Sequence, residues 1–266
     1  MKEIQRDGAT IKYRMEGEGT TTLLFVHGAF SNQTYWDNQV AFFSPNFKVV
    51  TLDLPGHGES GRDRTDWSVE GFGQDVVTVI RELDLQNVIL IGHSMGACVI
   101  LEAAVAHPEL IIGFVVVDMF KNAGTPLPDE YQEQVESIKQ NLITDFENTS
   151  EQYAYLALVT PQTPEPVAKR VAADYRHAYP PMGRPLIAQV FEYYQREREL
   201  LPQLKFKFYV INADYLPFNE EPLKRYLTVD YEILHVPSTC HYPMIEDPDR
   251  FDQTLTEVID KIAAHQ

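Results

Sequence analysis

The residues with the clearest chemical potential are Gly92-His93-Ser94-Met95-Gly96. An apolar run of strand length, Val88-Ile89-Leu90-Ile91, leads into them, and an Ala/Val/Leu-rich helical stretch to about His107 follows. This is Gly-x-Ser-x-Gly in the strand–turn–helix setting that makes the pattern a nucleophile elbow. Ser94 must take a strained backbone so that its hydroxyl stands clear of the turn, and Gly92 and Gly96 leave room for the adjoining strand and helix. A helix opening at Ser94 also aims free N–H groups and its positive end at whatever Ser94 attacks.

A serine hydroxyl needs a base within hydrogen-bond reach and a third group to orient that base. In an elbow-based site the chain order is serine, acid, histidine. Of the eight histidines, only His177, His235, His241 and His265 come late enough. His177 falls in a predicted helix, His235 inside a predicted strand and His265 next to the last residue. His241 follows the last predicted strand by a short loop, at the sheet edge where open α/β sheets carry their sites. For the acid, Asp214 lies just past a predicted strand at 206–211 and is preferred over Asp118, which closes the strand at 111–117. Glu220 and Glu221 read as the first turn of an exposed helix. An oxyanion would be bound by the N–H of Met95 and by that of Ala29, or alternatively Phe30, in the loop after the strand at 21–26. Gly28 in the same loop reads as a turn glycine at the site.

The elements that must position these groups alternate. Two short strands occupy 3–15, and strands follow at 21–26, 47–53, 88–93 and 111–117, with helices at about 34–43, 68–85 and 95–107 between them. Strands alternating with helices mean βαβ units and a mostly parallel sheet. From 121 to 202 helical periodicity takes over, broken by eight prolines from Pro126 to Pro185. Helices are expected there at 130–146, 152–159, 166–177 and 186–200. The α/β pattern returns with strands at 206–211 and 231–236 and helices at 220–227 and 249–264. The expected organisation is a core of residues 1–120 and 203–266 with a helical cap of residues 121–202.

Composition narrows the function. The chain has 266 residues and a formal charge of −17, a surface that repels nucleic acid and anionic membrane. No run of about eighteen apolar residues would span a bilayer, and the first residues lack the apolar stretch of a secretory signal. Two cysteines make no disulfide framework. The expected setting is therefore cytoplasmic and reducing. No metal-ligand spacing, P-loop or dinucleotide fingerprint appears, so neither metal nor cofactor is expected.

Four motifs in order carry a resemblance. They are His27-Gly28-Ala29-Phe30, Asp53-Leu54-Pro55-Gly56-His57-Gly58-Glu59-Ser60, the elbow itself, and His241-Tyr242-Pro243-Met244-Ile245-Glu246-Asp247-Pro248. On these the chain resembles the α/β-hydrolase superfamily, in its capped branch of carboxylesterases, pimeloyl-ester esterases, lactonases and C–C bond hydrolases. The resemblance implies a mostly parallel eight-stranded sheet with helices on both faces, a helical cap after strand six, and a triad of Ser94, Asp214 and His241. It departs from many relatives in having Cys240 where they have glycine. It also has Asn212-Ala213-Asp214 where they have Gly-x-x-Asp, so the acid stays open between Asp214 and Asp118. The function so implied is hydrolysis of small carboxylic esters through an acyl-enzyme, with lactones or C–C bonds as alternatives on the same triad. A hydrolase-fold lyase, oxygenase or ligand-binding receptor is the reading from another class.

Overall fold

A computed structural model describes residues 1–264; His265 lies outside the described residues. Eight strands form one sheet: β1 (Lys2–Arg6), β2 (Ala9–Glu16), β3 (Thr22–Val26), β4 (Lys48–Asp53), β5 (Val88–His93), β6 (Ile111–Val117), β7 (Phe208–Ala213) and β8 (Tyr231–Val236). Their order is β1-β2-β4-β3-β5-β6-β7-β8. β1, β2 and β4 pair antiparallel, and from β4 across to β8 the pairing is parallel. The central strands read as unbroken apolar runs because both faces are covered: every residue of β3 and β5 is buried.

Helices α1 (Asp37–Phe43), α2 (Val69–Glu82) and α3 (Met95–Ala106) connect the first parallel strands. Helix α2 starts where Ser68 caps it, its hydroxyl accepting from Gly71 N at 3.0 Å. Helix α3 is apolar on nearly all sides, Glu102 being its one charged residue, and ten of its residues, Met95 to Ala104, are buried. Close contact between α2 and α3 depends on Gly73, since a methyl there would come within 2.7 Å of the Glu102 side chain.

Between β6 and β7 run α4 (Asp129–Thr144), α5 (Phe146–Tyr153), a π-helical turn at Ala154–Leu158, α6 (Glu165–Arg176), α7 (Pro180–Glu192) and α8 (Tyr194–Leu200). Three expectations shift. The predicted helix at 152–159 is the end of α5 plus the π turn; α5 begins at Phe146 because the Asp145 side chain accepts from Asn148 N at its start. The predicted helix at 186–200 is two helices. α7 opens on Pro180 and Pro181, which need no acceptor in a first turn, and tolerates Pro185 in its second. Burial of Met182, Gly183, Leu186 and Ile187 along one face outweighs the bond that Pro185 removes. The strand expected at 206–211 runs instead over 208–213, so residue 214 is the first after β7. The chain closes with α9 (Glu221–Tyr226), the short α10 (Pro243–Glu246) and α11 (Pro248–Ala263).

Candidate active site

The C-terminal ends of β3, β5, β6 and β7, with the loop after β8, converge on one edge of the sheet. At the end of β5, Ser94 has φ 52° and ψ −125°, a left-handed conformation that costs a non-glycine residue on the order of 1 kcal/mol or more. Tight packing enforces it. A methyl on Gly96 would overlap the carbonyl oxygens of Val26 and His27, and one on Gly92 would overlap that of Gly96. Ser94 N donates to Val117 O at 3.0 Å, tying the elbow to β6. The N–H of Met95, first residue of α3, has no acceptor within its own helix.

His241 sits on the loop after β8 and is 7% exposed. The loop is held from three sides. Glu246 accepts from Cys240 N (3.0 Å) and Tyr242 N (3.3 Å), gripping the backbone on both sides of the histidine. Cys240 Sγ donates to Leu158 O at 3.0 Å. His93, the residue before the nucleophile, donates its Nε2–H to the His241 carbonyl at 2.6 Å, and the two rings lie 4.7 Å apart. That bond fixes the His93 tautomer and leaves its buried Nδ1 unprotonated and unpartnered. Burial, then the neighbouring His241, pushes His93 down to about 3, so it serves as a neutral donor. Gly28 belongs to the same arrangement, because a methyl there would stand 2.9 Å from His93 Nδ1.

The structure places Asp118, and not the preferred Asp214, against the histidine. His241 Nδ1 donates to Asp118 Oδ2 at 2.7 Å, and Asp118 is 2% exposed. Asp214 instead accepts from His235 Nδ1 at 2.6 Å, with both side chains close to half exposed. The reason lies in the end of β7. Once the strand runs to Ala213, Asp214 faces β8 and its side chain meets His235. The next residue, Tyr215, turns inward, with its hydroxyl 3.2 Å from His241 Nδ1. Asp118 reaches the histidine because it takes φ 50° as it leaves β6, a conformation aspartate tolerates better than most residues.

The Asp118 carboxylate is fully engaged. Its Oδ1 accepts from Ala213 N at 2.9 Å and from Lys121 Nζ at 2.8 Å. Burial alone would raise this carboxyl. The hydrogen bond from His241, the His241 charge and Lys121 outweigh it and hold the group below the usual carboxylate range. Burial, then the Asp118 charge, pushes the Tyr215 phenol far up, so it remains a neutral donor.

The loop after β3 is shaped from below. His27 Nδ1 donates to Gly28 O at 2.8 Å while its Nε2 accepts from Leu54 N at 3.0 Å, stapling this loop to the one after β4. Asp53 accepts from Gln33 N, Gln33 Nε2 and Glu59 N, and a side chain on Gly58 would collide with it. Phe30 has φ 58° and packs edge-on against Phe146 (5.8 Å) and Tyr175 (4.9 Å) of the overlying helices. Tyr175 in turn stacks on Tyr153 at 6.2 Å. A cavity of about 170 Å³ lies beside this loop, lined among others by Phe30, Gly56, His57, Arg62, Tyr179 and Met182; it does not include Ser94 or His241.

A family model described as "Alpha/beta hydrolase family" matches residues 23–254. The chain belongs to the α/β-hydrolase family. Among its relatives is the pimeloyl-[acyl-carrier protein] methyl ester esterase of Edwardsiella ictaluri, 27% identical over 252 residues, 92% of this chain and 95% of that protein. A thermophilic esterase from Thermogutta terrifontis, solved with malate bound, superposes with a TM-score of 0.83 at 20% identity, over 98% of this chain and 99% of that one. Est816, described as an N-acyl homoserine lactone degrading enzyme, gives 0.82 at 20% identity, over 96% and 99%. The chain spans only 30 to 54% of the length of the first curated relatives it matches. The α/β-hydrolase sheet, eight-stranded and mostly parallel, is as the resemblance implied.

Four residues of this α/β-hydrolase site were not singled out from sequence: His93, Glu246, Lys121 and Tyr215. The first two lie inside motifs, and reading those motifs for loop-bracing groups would have found them. Lys121 and Tyr215 carry no local pattern, and only the pairing of β6 with β7 brings them together.

Proposed function

We propose that this chain is a serine hydrolase of small carboxylic esters acting through an acyl-enzyme. The observation that carries the reading is the buried 2.7 Å bond between His241 Nδ1 and Asp118 Oδ2, on a loop that His93 ties to the elbow where Ser94 is strained at φ 52°. Ser94 Oγ attacks the ester carbonyl and gives its proton to His241 Nε2. Asp118, already ionised, steadies the imidazolium through Nδ1–H. The oxygen of the tetrahedral intermediate takes hydrogen bonds from Met95 N–H and from Ala29 N–H, with Phe30 N–H as the alternative second donor. Collapse breaks the ester C–O bond, and His241 returns its proton to the departing alcohol. Water, deprotonated by the same histidine, then cleaves the acyl-enzyme to acid and free serine. Residues 121–202 act as a cap, and Phe30, Phe146 and Tyr175 supply an aromatic wall suited to an apolar acyl group. A small-molecule ester in a cytoplasmic setting completes the proposal.

The test is fluorophosphonate labelling read by intact mass, with hydrolysis of p-nitrophenyl acetate through octanoate and of a short lactone series in parallel. Wild type should label once and Ser94→Ala not at all. Absence of both labelling and turnover in wild type would sink the reading and favour the lyase, oxygenase or receptor alternatives.

A further inference from the structure

Lys121 is a charged group beside the Asp118–His241 pair whose charge has no part in the acyl-transfer steps. Its side chain is 15% exposed, and its ammonium spends all three donors inside the site: on Asp118 Oδ1 (2.8 Å), on Ala213 O (2.7 Å) and on Asn212 Oδ1. The Lys121 ammonium also lies 5.0 Å from the centre of the Tyr215 ring, whose hydroxyl reaches His241 Nδ1. The carboxylate is thus shared, Oδ2 to the histidine and Oδ1 to the lysine. Ala213 N–H already holds Oδ1 in place at 2.9 Å, so orientation alone does not call for a cation. A full positive charge on the far side of the carboxylate opposes a second positive charge on the imidazole.

Resting on the serine-hydrolase reading, we propose that Lys121 is a positioning residue that offsets the Asp118 charge and keeps the Asp118–His241 pair in its basic form further into the acid range. The charged and titratable groups facing His241 are few. Asp118 and Lys121 come from the loop after β6, Tyr215 from the end of β7, and neutral His93 from β5. Cys240, Tyr242 and Glu246 come from its own loop, and the last is committed to two backbone N–H groups. Among the described residues, Lys121 is the only permanent cation in that shell. Removing it leaves Asp118 free to favour the protonated histidine more strongly.

The experiment compares wild type, Lys121→Gln and Lys121→Arg. One readout is the pH dependence of kcat/KM for p-nitrophenyl butyrate between pH 4.5 and 8. The other is NMR titration of the histidine of the pair in the same full-length proteins, which needs no turnover. Gln keeps donors for Asn212 and Ala213 but removes the charge. The acid limb and the NMR midpoint should both move up by about one pH unit, the size of a unit charge acting across a carboxylate in a partly screened site. Lys121→Arg should stay within about 0.3 of a unit of wild type. A limb that stays in place in Lys121→Gln while the rate falls means that Lys121 only braces the loop, and overturns the proposal. So does an Arg variant that shifts as far as Gln. Should the Gln variant not fold, Lys121→Met carries the same comparison. If wild type neither labels nor turns over, the hydrolase reading fails, and the NMR midpoints still decide the effect of Lys121 on the pair.

Discussion

Asp118 and Asp214 are both carboxylates at the end of a sheet strand, and their different surroundings make their substitutions diverge. Asp118→Asn leaves the geometry but removes the charge that steadies the imidazolium and fixes its tautomer, and kcat should fall by about 10⁴. Asp214→Asn touches the half-exposed pair with His235 and the 3.1 Å bond from Asn212 Nδ2, neither of them to His241, and should leave kcat within about two-fold of wild type. Steady-state kinetics on the butyrate ester checks both. Tyr215 allows a sharper experiment. Its hydroxyl stands 3.2 Å from His241 Nδ1, close to where a carboxylate could replace that of Asp118. Asp118→Asn/Tyr215→Asp should therefore recover at least about ten-fold of the activity that Asp118→Asn loses. The places of Ser94, Met95 and His241 at one edge of the sheet were legible in the sequence because local patterns announce them, the elbow for the first two and the loop after the last strand for the third. The acid was not. Its identity turns on where β7 ends, and a shift from 206–211 to 208–213 exchanges which side chain faces the histidine.

At the scale of elements, the elbow is the least forgiving junction. Gly96→Ala sets a methyl against the carbonyl oxygens of Val26 and His27, and both belong to backbone fixed at β3. The variant should lose about 3 kcal/mol of stability or fail to accumulate as soluble protein, as urea denaturation would measure. A second junction lies where the segment after β6 enters and leaves the core. Glu197 of α8 accepts from Gly124 N, and burial raises its carboxyl to about 7. The folded protein therefore binds this proton more tightly than the unfolded chain does, whose ordinary glutamate titrates near 4.5. Stability drawn from this group is present at low pH and is lost as pH rises through about 7. Relative to Glu197→Gln, wild type should lose roughly 3 kcal/mol between pH 4.5 and pH 8, read from paired urea midpoints. The alternating strands and helices of the core were legible from periodicity, since both faces of the parallel sheet are covered. Helices α7 and α8 were not, because Pro185 reads as a break and only the packing of Met182, Leu186 and Ile187 overrides it.

For the whole molecule, the formal charge of −17 sets the approach of substrate. An ester carrying a carboxylate is repelled at a distance, and salt screens that repulsion within a Debye length of about 10 Å at 0.1 M. Raising ionic strength from 20 to 300 mM should increase kcat/KM for an anionic ester by about two-fold or more. That for a neutral ester of the same acyl group should stay nearly constant. Equal responses would mean that the field at the entrance is unlike that of the surface as a whole. None of the helices in the described residues is long and apolar enough to cross a membrane.

The loop that carries His241 is fastened to the helices above it at two points. Leu158 O accepts from Cys240 Sγ, and Thr163 Oγ1 donates at 3.3 Å to Glu246, the same carboxylate that grips Cys240 N and Tyr242 N. Residues 158–163 and the anchorage of His241 are therefore one mechanical unit. Lifting residues 158–163 to admit a bulky molecule must either break both fastenings or drag the imidazole out of line with Asp118. On the proposed mechanism an open molecule is thus a disarmed one, and proton transfer becomes competent only once residues 158–163 have settled back.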